Sequence, residues 1–138
     1  QNDRERSIRL EMLTGLADER AEFFSLQQGV AAEQSANPPR GMQLIDHACE
    51  FENMADTAGL IAHLDLVIAV DTSVAHLAGA MGKPIWVLMA LVPDWRWMLE
   101  RADTPWYPTM RLFRQAKLNE WSELIAHLTY EFKRWLSR

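Results

Sequence analysis

The sequence predicts an α/β domain with a mostly parallel sheet. Segments with the apolar patterns of strands and of helices alternate from one end of the chain to the other, as in α/β proteins. The segments "DLVIAV" and "IWVLMAL" are apolar throughout, which is typical of parallel strands that are covered by helices on both faces. The chain has 138 residues, of which 49% are hydrophobic, so we expect one core and a single domain over residues 1–138.

Two strands and three helices are predicted in the first half of the chain. "SIRLEMLTGLADE" has apolar residues at helical spacing and predicts an amphipathic helix. "AEFFSLQQG" predicts a strand over residues 22–27, and "VAAEQSANPPRG" predicts a short helix that its two prolines end. "MQLIDHA" predicts a second strand, and "ADTAGLIAHL" predicts a further helix.

The second half continues the alternation, with "DLVIAV" as the third strand. The helix that follows is predicted to begin near Ser73 and to end at Gly82, with Pro84 beyond it. "IWVLMAL" predicts the fourth strand and "MRLFR" the last one, and a loop rich in proline and tryptophan lies between them. "NEWSELIAHLTYEFKRWL" has the apolar spacing of a long amphipathic helix.

Composition and charge exclude several classes of function. The net charge is −5, so the chain has no basic excess for a phosphate backbone and we expect no nucleic-acid partner. Cys49 is the only cysteine in the sequence, which excludes an internal disulfide and a cysteine-based metal site. No apolar run approaches the ~18 residues of a membrane span, and the charged first residues do not resemble a signal peptide. We therefore expect a cytoplasmic protein without a membrane span.

Asp71, Thr72, Ser73 and His76 are the strongest candidates for a ligand site. They stand where the third strand turns into a helix, and ligands of open parallel sheets bind beyond the carboxyl ends of the strands. One interpretation is structural: Asp71 or Thr72 caps the helix by accepting a backbone N–H. The other is functional: the free N–H groups, the hydroxyls and His76 together receive phosphate oxygens. The spacing leaves both interpretations open.

Weaker candidates are expected at the same edge of the predicted sheet. His47 ends the second strand, where it can contact a ligand. Phe51 and Met54 are placed to flank a nucleotide base. Arg4 and Arg6 precede the first helix, and a pair of guanidinium groups suits a diphosphate, although a solvated, charged terminus explains the same residues.

The segment "DLVIAVDTSVAHLAGAMGKPIWVL" resembles the nucleotide-sugar-binding stretch of the heptosyltransferase-like glycosyltransferases, family 9, which have the GT-B architecture. In that family a strand is followed by Asp-Thr-Gly-x-x-His, and here the strand is followed by Asp71, Thr72, Ser73 and, three residues later, His76. "VPDWRWMLERADTPWYPTMRLFRQ" is similar to the branch in which this domain follows tetratricopeptide repeats in large bacterial proteins. The resemblance implies a Rossmann-like sheet with helices on both faces, forming the C-terminal half of a GT-B fold.

The resemblance also implies a donor-binding site and a reaction. The residues implied to bind a nucleotide sugar are Asp71, Thr72, Ser73, His76, Gln27, Gln28, Met54, Arg4 and Arg6. The glutamines would approach the ribose, the methionine the base, and the arginines the phosphates. Transfer would need no metal and no cofactor: an acceptor hydroxyl attacks the anomeric carbon of an ADP- or UDP-linked sugar, and helix N-termini and basic groups stabilise the departing diphosphate. No catalytic residue is identified within this chain.

The chain departs from the family pattern at three points. Ser73 replaces the glycine at which the backbone approaches the phosphates. The acceptor site of the family lies largely in an N-terminal domain, so we expect the acceptor, a saccharide or a protein, to bind through such a domain outside this sequence. The family's domain opens with a strand before the "NDR" segment, so we expect the chain to be a fragment with a gap between its first and third strands.

Two functions of different classes therefore remain open. The first is the nucleotide-sugar-binding half of a metal-independent glycosyltransferase, inactive without its acceptor domain. The second is a degenerate, non-catalytic domain that serves as a protein-interaction module, with Trp95, Trp97 and Trp106 against a partner. A homo-oligomer is compatible with both.

Overall fold

The computed structural model describes residues 8–27, 29–47, 50–90, 107–118 and 120–138. Within these residues the strand pairs are all parallel and helical segments lie before, between and after the strands, so the predicted α/β class is confirmed. The elements in chain order are a 3-10 helix Leu10–Leu16, β1 Glu22–Ser25, a second 3-10 helix Gly29–Ala36, β2 Gln43–Asp46, α1 Met54–Ile61, β3 Val67–Val70, α2 Ser73–Ala80, β4 Ile85–Met89, β5 Met110–Arg114 and α3 Ser122–Leu136.

The described residues form two compact units. The first unit is built from Ala58–Leu124, and the second from Ile8–Thr57 together with Ile125–Arg138. The first contains the sheet β3-β4-β5, and the second contains the sheet β1-β2. No strand pairing among the described residues joins the two sheets; the gap expected between the first and third strands stays a prediction.

The three-stranded parallel sheet is the centre of the first unit. All five residues of its middle strand, β4, are buried, which explains why "IWVLM" shows no polar alternation. Helix α2 connects β3 to β4, and Val70 at the end of β3 pairs with Leu88 near the end of β4. This strand–helix–strand arrangement places Asp71 at the carboxyl edge of the sheet, directly before α2.

Helix α2 ends in a Schellman motif. Gly82 has a φ of +72°, a conformation that costs a residue with a side chain about 1–2 kcal/mol. Its amide donates to the Gly79 carbonyl at 3.1 Å, and the amide of Lys83 donates to the Ala78 carbonyl at 3.1 Å. These two bonds satisfy carbonyl groups that the end of a helix leaves without partners. The prediction that Gly82 ends the helix is confirmed.

The second unit is built on the parallel pair of β1 and β2 and on most of α3. The second 3-10 helix connects the two strands, and the Ser35 hydroxyl in that helix donates to the Asp46 carboxylate at 2.7 Å. Phe23 of β1 packs on Phe132 of α3 with 5.8 Å between the ring centroids. Leu128, one turn before Phe132, is fully buried, as the amphipathic pattern of this helix predicts.

A charged cluster around Asp18 stabilises the second unit. The Asp18 carboxylate accepts hydrogen bonds from the Arg20 guanidinium at 2.9 Å and from the Lys133 ammonium at 3.0 Å. The hydrogen bonds from Arg20, with those from Lys133, hold the pKa of Asp18 well below its ordinary value. Lys133 also donates to the Ala17 carbonyl at 2.9 Å, so this side chain connects α3 to the turn that follows the first 3-10 helix.

A helix forms at the start of the chain, as predicted, but it is not a regular α-helix. The segment forms a 3-10 helix in which Leu13 departs from helical geometry, with φ −92° and ψ 15°. The Thr14 hydroxyl donates to the Glu11 carbonyl at 2.5 Å, a local bond that competes with regular helix formation. Leu16 is buried but Met12 is 38% exposed, so only part of the predicted apolar face is buried.

No helix in the described part of the chain combines the length and the apolar character that crossing a bilayer requires.

Candidate functional site

The candidate site is the connection between β3 and α2. Val67–Val70 forms the strand because its β-branched and small apolar residues suit a buried, pleated surface. The helix begins at Ser73, as predicted, and its run of small residues allows close packing: Ala75 and Ala78 are fully buried. Asp71 and Thr72 lie between the two elements.

Thr72 occupies the N-cap position of α2 but does not cap it with its side chain. Its backbone is extended, with φ −140° and ψ 174°, and its side chain makes no capping hydrogen bond. The Thr72 hydroxyl donates instead to the Val70 carbonyl at 3.3 Å. The structural interpretation is therefore wrong for Thr72. The first amide groups of α2 lack the side-chain acceptor that an N-cap threonine usually supplies.

Ser73 lies at the first position of α2 and is exposed. A glycine at this position would offer a backbone without a side chain, whereas Ser73 adopts the same helical conformation and adds a hydroxyl. Because a serine at the first helical position causes no conformational strain, the departure from the family glycine changes the chemistry of the turn more than its shape.

His76 lies one turn into the helix and faces Asp71. The distance from His76 Nε2 to Asp71 Oδ1 is 3.4 Å, and both side chains are only 20–25% exposed. The spacing predicts that His76 shares a helix face with Ser73, and the structure adds that Asp71 is within ionic contact of the imidazole ring. The carboxylate is therefore placed to orient His76.

Tyr107 completes this group and was not singled out from the sequence. Its hydroxyl lies 3.2 Å from His76 Nδ1, and the two rings meet edge to face with 5.8 Å between centroids. Asp71 and Tyr107 therefore contact opposite nitrogens of the same imidazole. We call Asp71, His76 and Tyr107 the imidazole triad.

Gly79 makes room for Tyr107. A Cβ atom at Gly79 would lie 2.6 Å from Tyr107 Cγ, far inside van der Waals contact. The only sequence feature that pointed to Tyr107 was therefore Gly79, in "AHLAGAM". From the sequence, this glycine was interpreted as allowing the helix to pack closely on the sheet. The partner of that glycine is an aromatic residue from the segment before β5.

The remaining predicted site residues belong to the second unit or lie outside the described residues. Gln27 is exposed after β1 and Met54 is 50% exposed at the start of α1; both belong to the second unit. Their roles at the ribose and the base stay predictions. Arg4, Arg6 and Gln28 lie outside the described residues, as do Trp95, Trp97 and Trp106.

The loop before α1 is organised by its own polar groups. The Asp56 carboxylate accepts the Glu52 amide at 2.8 Å, and the Asn53 side-chain oxygen accepts the Asp56 amide at 3.1 Å. His47, the other predicted contact in this unit, has Nδ1 3.8 Å from the Glu50 carboxylate. The acidic residues of this loop are thus partly occupied in fixing its conformation.

Comparisons with known proteins match a segment of the chain that contains this turn. Residues 48–90 match the family model "Glycosyltransferase family 9 (heptosyltransferase)", a segment that contains α1, β3, α2 and β4 and therefore Asp71 and His76. The chain is 36% identical over 113 residues to Protein FlbA of Caulobacter vibrioides, covering 77% of this chain and 18% of that protein. It thus spans less than a fifth of the length of the curated relative it matches. No solved structure gives a significant match.

Proposed function

Because residues 48–90 relate this chain to the heptosyltransferases of glycosyltransferase family 9, we propose that the β3–α2 turn binds the diphosphate of a nucleotide sugar. Residues 1–138 would then form the nucleotide-sugar-binding domain of a metal-independent glycosyltransferase. The observation that carries the proposal is the start of α2: its N-cap residue, Thr72, makes no side-chain hydrogen bond to the first amides, directly beside His76.

The start of α2 has the electrostatic character that an anion requires. The first N–H groups of a helix have no intrahelical hydrogen-bond acceptors, and the helix dipole adds a partial positive charge at this end. Phosphate groups bind at such ends through several N–H donors. In this turn the donors are the amides of Ser73 and Val74 and the exposed Ser73 hydroxyl.

The side chains of the turn have different roles in this proposal. The Thr72 hydroxyl proton is already donated to the Val70 carbonyl, so Thr72 contributes to a phosphate less than Ser73 does. Asp71 is negatively charged and does not bind phosphate directly; it holds His76, whose Nε2 lies 3.4 Å away. His76 supplies the polar or cationic group beside the diphosphate.

In the proposed reaction, negative charge develops on the departing diphosphate, and the turn is placed to stabilise it. An acceptor hydroxyl attacks the anomeric carbon of the sugar and gives its proton to a base outside this chain, while the bond to the diphosphate breaks and the nucleoside diphosphate leaves with its electron pair. Donors that already face the diphosphate stabilise this charge without rearrangement. The acceptor, a saccharide or a protein, would bind outside this chain, so the chain alone is expected to bind the donor without transferring the sugar.

A substitution series at Ser73 tests the proposal by calorimetry with ADP and UDP on the full chain. Ser73→Pro removes both the amide proton and the hydroxyl, and proline is tolerated at the first helical position after an extended residue such as Thr72. The loss of charge-assisted bonds should weaken binding about tenfold or more. Ser73→Gly keeps the amide and should bind within a few-fold of the wild type.

The controls separate the turn from the rest of the chain. His76→Ala should weaken binding, whereas His63→Ala, at an exposed histidine outside the turn, should not. Unchanged binding in both Ser73→Pro and His76→Ala would place the nucleotide elsewhere. Absence of binding to either nucleotide in the wild type would instead favour the degenerate protein-interaction module.

A further inference from the structure

We infer that Tyr107 is a positioning residue that holds neutral His76 in one tautomer, with its proton on Nε2 and the lone pair on Nδ1. The contacts that carry this inference are independent of any ligand. Only its consequence for nucleotide binding rests on the proposed function.

The two nitrogens of His76 have chemically different partners. The Asp71 carboxylate, 3.4 Å from Nε2, can only accept a hydrogen bond, so it favours an N–H on that side and opposes a lone pair. The Tyr107 hydroxyl, 3.2 Å from Nδ1, can donate its proton. In the neutral imidazole, both contacts are favourable at once only when Nε2 carries the proton and Nδ1 accepts the bond from Tyr107.

The local structure fixes the tyrosine in this place. Its ring lies against the helix at Gly79, where a side chain would overlap it. Its carbonyl accepts the Met110 amide at 3.1 Å, which ties Tyr107 to the first residue of β5. Pro108 follows it, and a residue before proline is restricted to extended conformations. The position of Tyr107 is thus fixed by local contacts as well as by the histidine.

The tautomer determines which nitrogen of His76 can donate a hydrogen bond to a ligand. With Nδ1 occupied by Tyr107, neutral His76 has one N–H, at Nε2, on the side of Asp71 and of the turn before α2. A hydrogen bond from neutral His76 to a diphosphate oxygen must then come from the Nε2 proton, shared with or taken from Asp71, and not from Nδ1. Tyr107 therefore acts on the ligand through His76, without touching it.

The test compares Tyr107→Phe with the wild type by nitrogen NMR of the histidine rings in the full chain. In the wild type, His76 Nδ1 should have the shift of an unprotonated nitrogen and Nε2 that of a protonated one. Tyr107→Phe keeps the ring against Gly79 and removes the hydroxyl, so His76 should move toward a mixture of both tautomers. Tyr130→Phe, which alters a 62% exposed tyrosine, is the matched control and should leave His76 unchanged.

Two results would overturn the inference: a wild-type His76 protonated at Nδ1, or an unaltered His76 spectrum in a folded Tyr107→Phe. The wild-type spectrum decides the tautomer even where the variant does not fold. In calorimetry with ADP or UDP, Tyr107→Phe should lose affinity roughly fivefold, the effect of one hydrogen bond. Wild-type protein that binds neither nucleotide would contradict the proposed function, while the NMR result would still decide the role of Tyr107.

Discussion

Gly79 is the residue on which the imidazole triad depends most directly. Gly79→Ala would place a Cβ 2.6 Å from Tyr107 Cγ, an atom close to the backbone that cannot move without displacing the whole ring. We expect this variant to unfold at lower urea concentration, with about 1–3 kcal/mol less free energy of unfolding, which is typical of an overpacked site. It should also weaken the contact between Tyr107 and His76.

Gly59 provides the matched control for this substitution. It lies inside α1, and a Cβ added there has nothing within 4 Å. Gly59→Ala should therefore stabilise the protein by up to about 1 kcal/mol through helix propensity alone. Equal effects of the two substitutions in urea unfolding would contradict the close contact with Tyr107.

At the residue scale, the sequence indicated Asp71 and His76, which are close in the chain, but not Tyr107, which is distant in the chain. Asp71 and His76 are five positions apart on one strand–helix turn, so spacing and helix geometry were enough to bring them together. Tyr107 is 31 residues from His76 in the sequence, and its approach depends on how β5 pairs with β4. The hydrogen bond of the Thr72 hydroxyl could not be predicted either. The hydroxyl of an N-cap threonine can donate to a preceding carbonyl, as it does here, or accept an amide of the first helical turn.

At the scale of elements, the end of α2 offers a prediction that is independent of ligand binding. Gly82 has a positive φ and open space around it, so the cost of a side chain there is purely conformational. Gly82→Ala should lower the free energy of unfolding by about 1–2 kcal/mol. Gly82→Asn should lose less, because asparagine adopts this conformation more readily. Urea unfolding of both variants checks the order, and an alanine variant as stable as the wild type would contradict it.

The element boundaries show which sequence signals were sufficient. β3 and β4 were predicted well because their apolar runs are uninterrupted and are bounded by turn residues. β5 was also predicted, although two arginines lie within "MRLFR". The apolar spacing of the first helix predicts regular helical geometry, but the segment contains Thr14 and Gly15, two poor helix formers. Gly15 itself lies against Thr129, with 3.1 Å from its added Cβ to Oγ1, so tertiary contact with α3 decides the conformation there.

At the scale of the whole molecule, Asp18 makes stability depend on pH. Its folded-state pKa lies below the ordinary value near 3.9, so its contribution is fully present above that value and is lost as the pH falls below it. Asp18→Asn should therefore have a lower Tm than the wild type at pH 7, and the difference should shrink steadily below about pH 4. Glu33→Gln, at an exposed carboxylate, should show no such difference in the same thermal scans. A gap between Asp18→Asn and wild type that persists unchanged at pH 2 would contradict this role.

The fold class could be predicted from the whole sequence, but the assignment of strands to sheets could not be predicted from local patterns. Alternating apolar segments identify strands and helices, whereas the pairing of β3 with β4 and of β4 with β5 involves residues far apart in the chain. The break between the two sheets was expected only from the resemblance to a known family. The function follows the same division: the turn residues suggested an anion site, and the family relation suggested which anion.

The central claim, that the start of α2 binds the diphosphate of a nucleotide, is tested most directly by titrating ADP and UDP into the nitrogen-labelled full chain. The amide signals of Ser73 and Val74 should shift saturably with at least one nucleotide, because their N–H groups would donate to phosphate oxygens. The amides of Ser122 and Glu123, in the first turn of α3, are the internal control and should not move. Saturable shifts elsewhere with Ser73 and Val74 unmoved, or no shifts at all, would contradict the account.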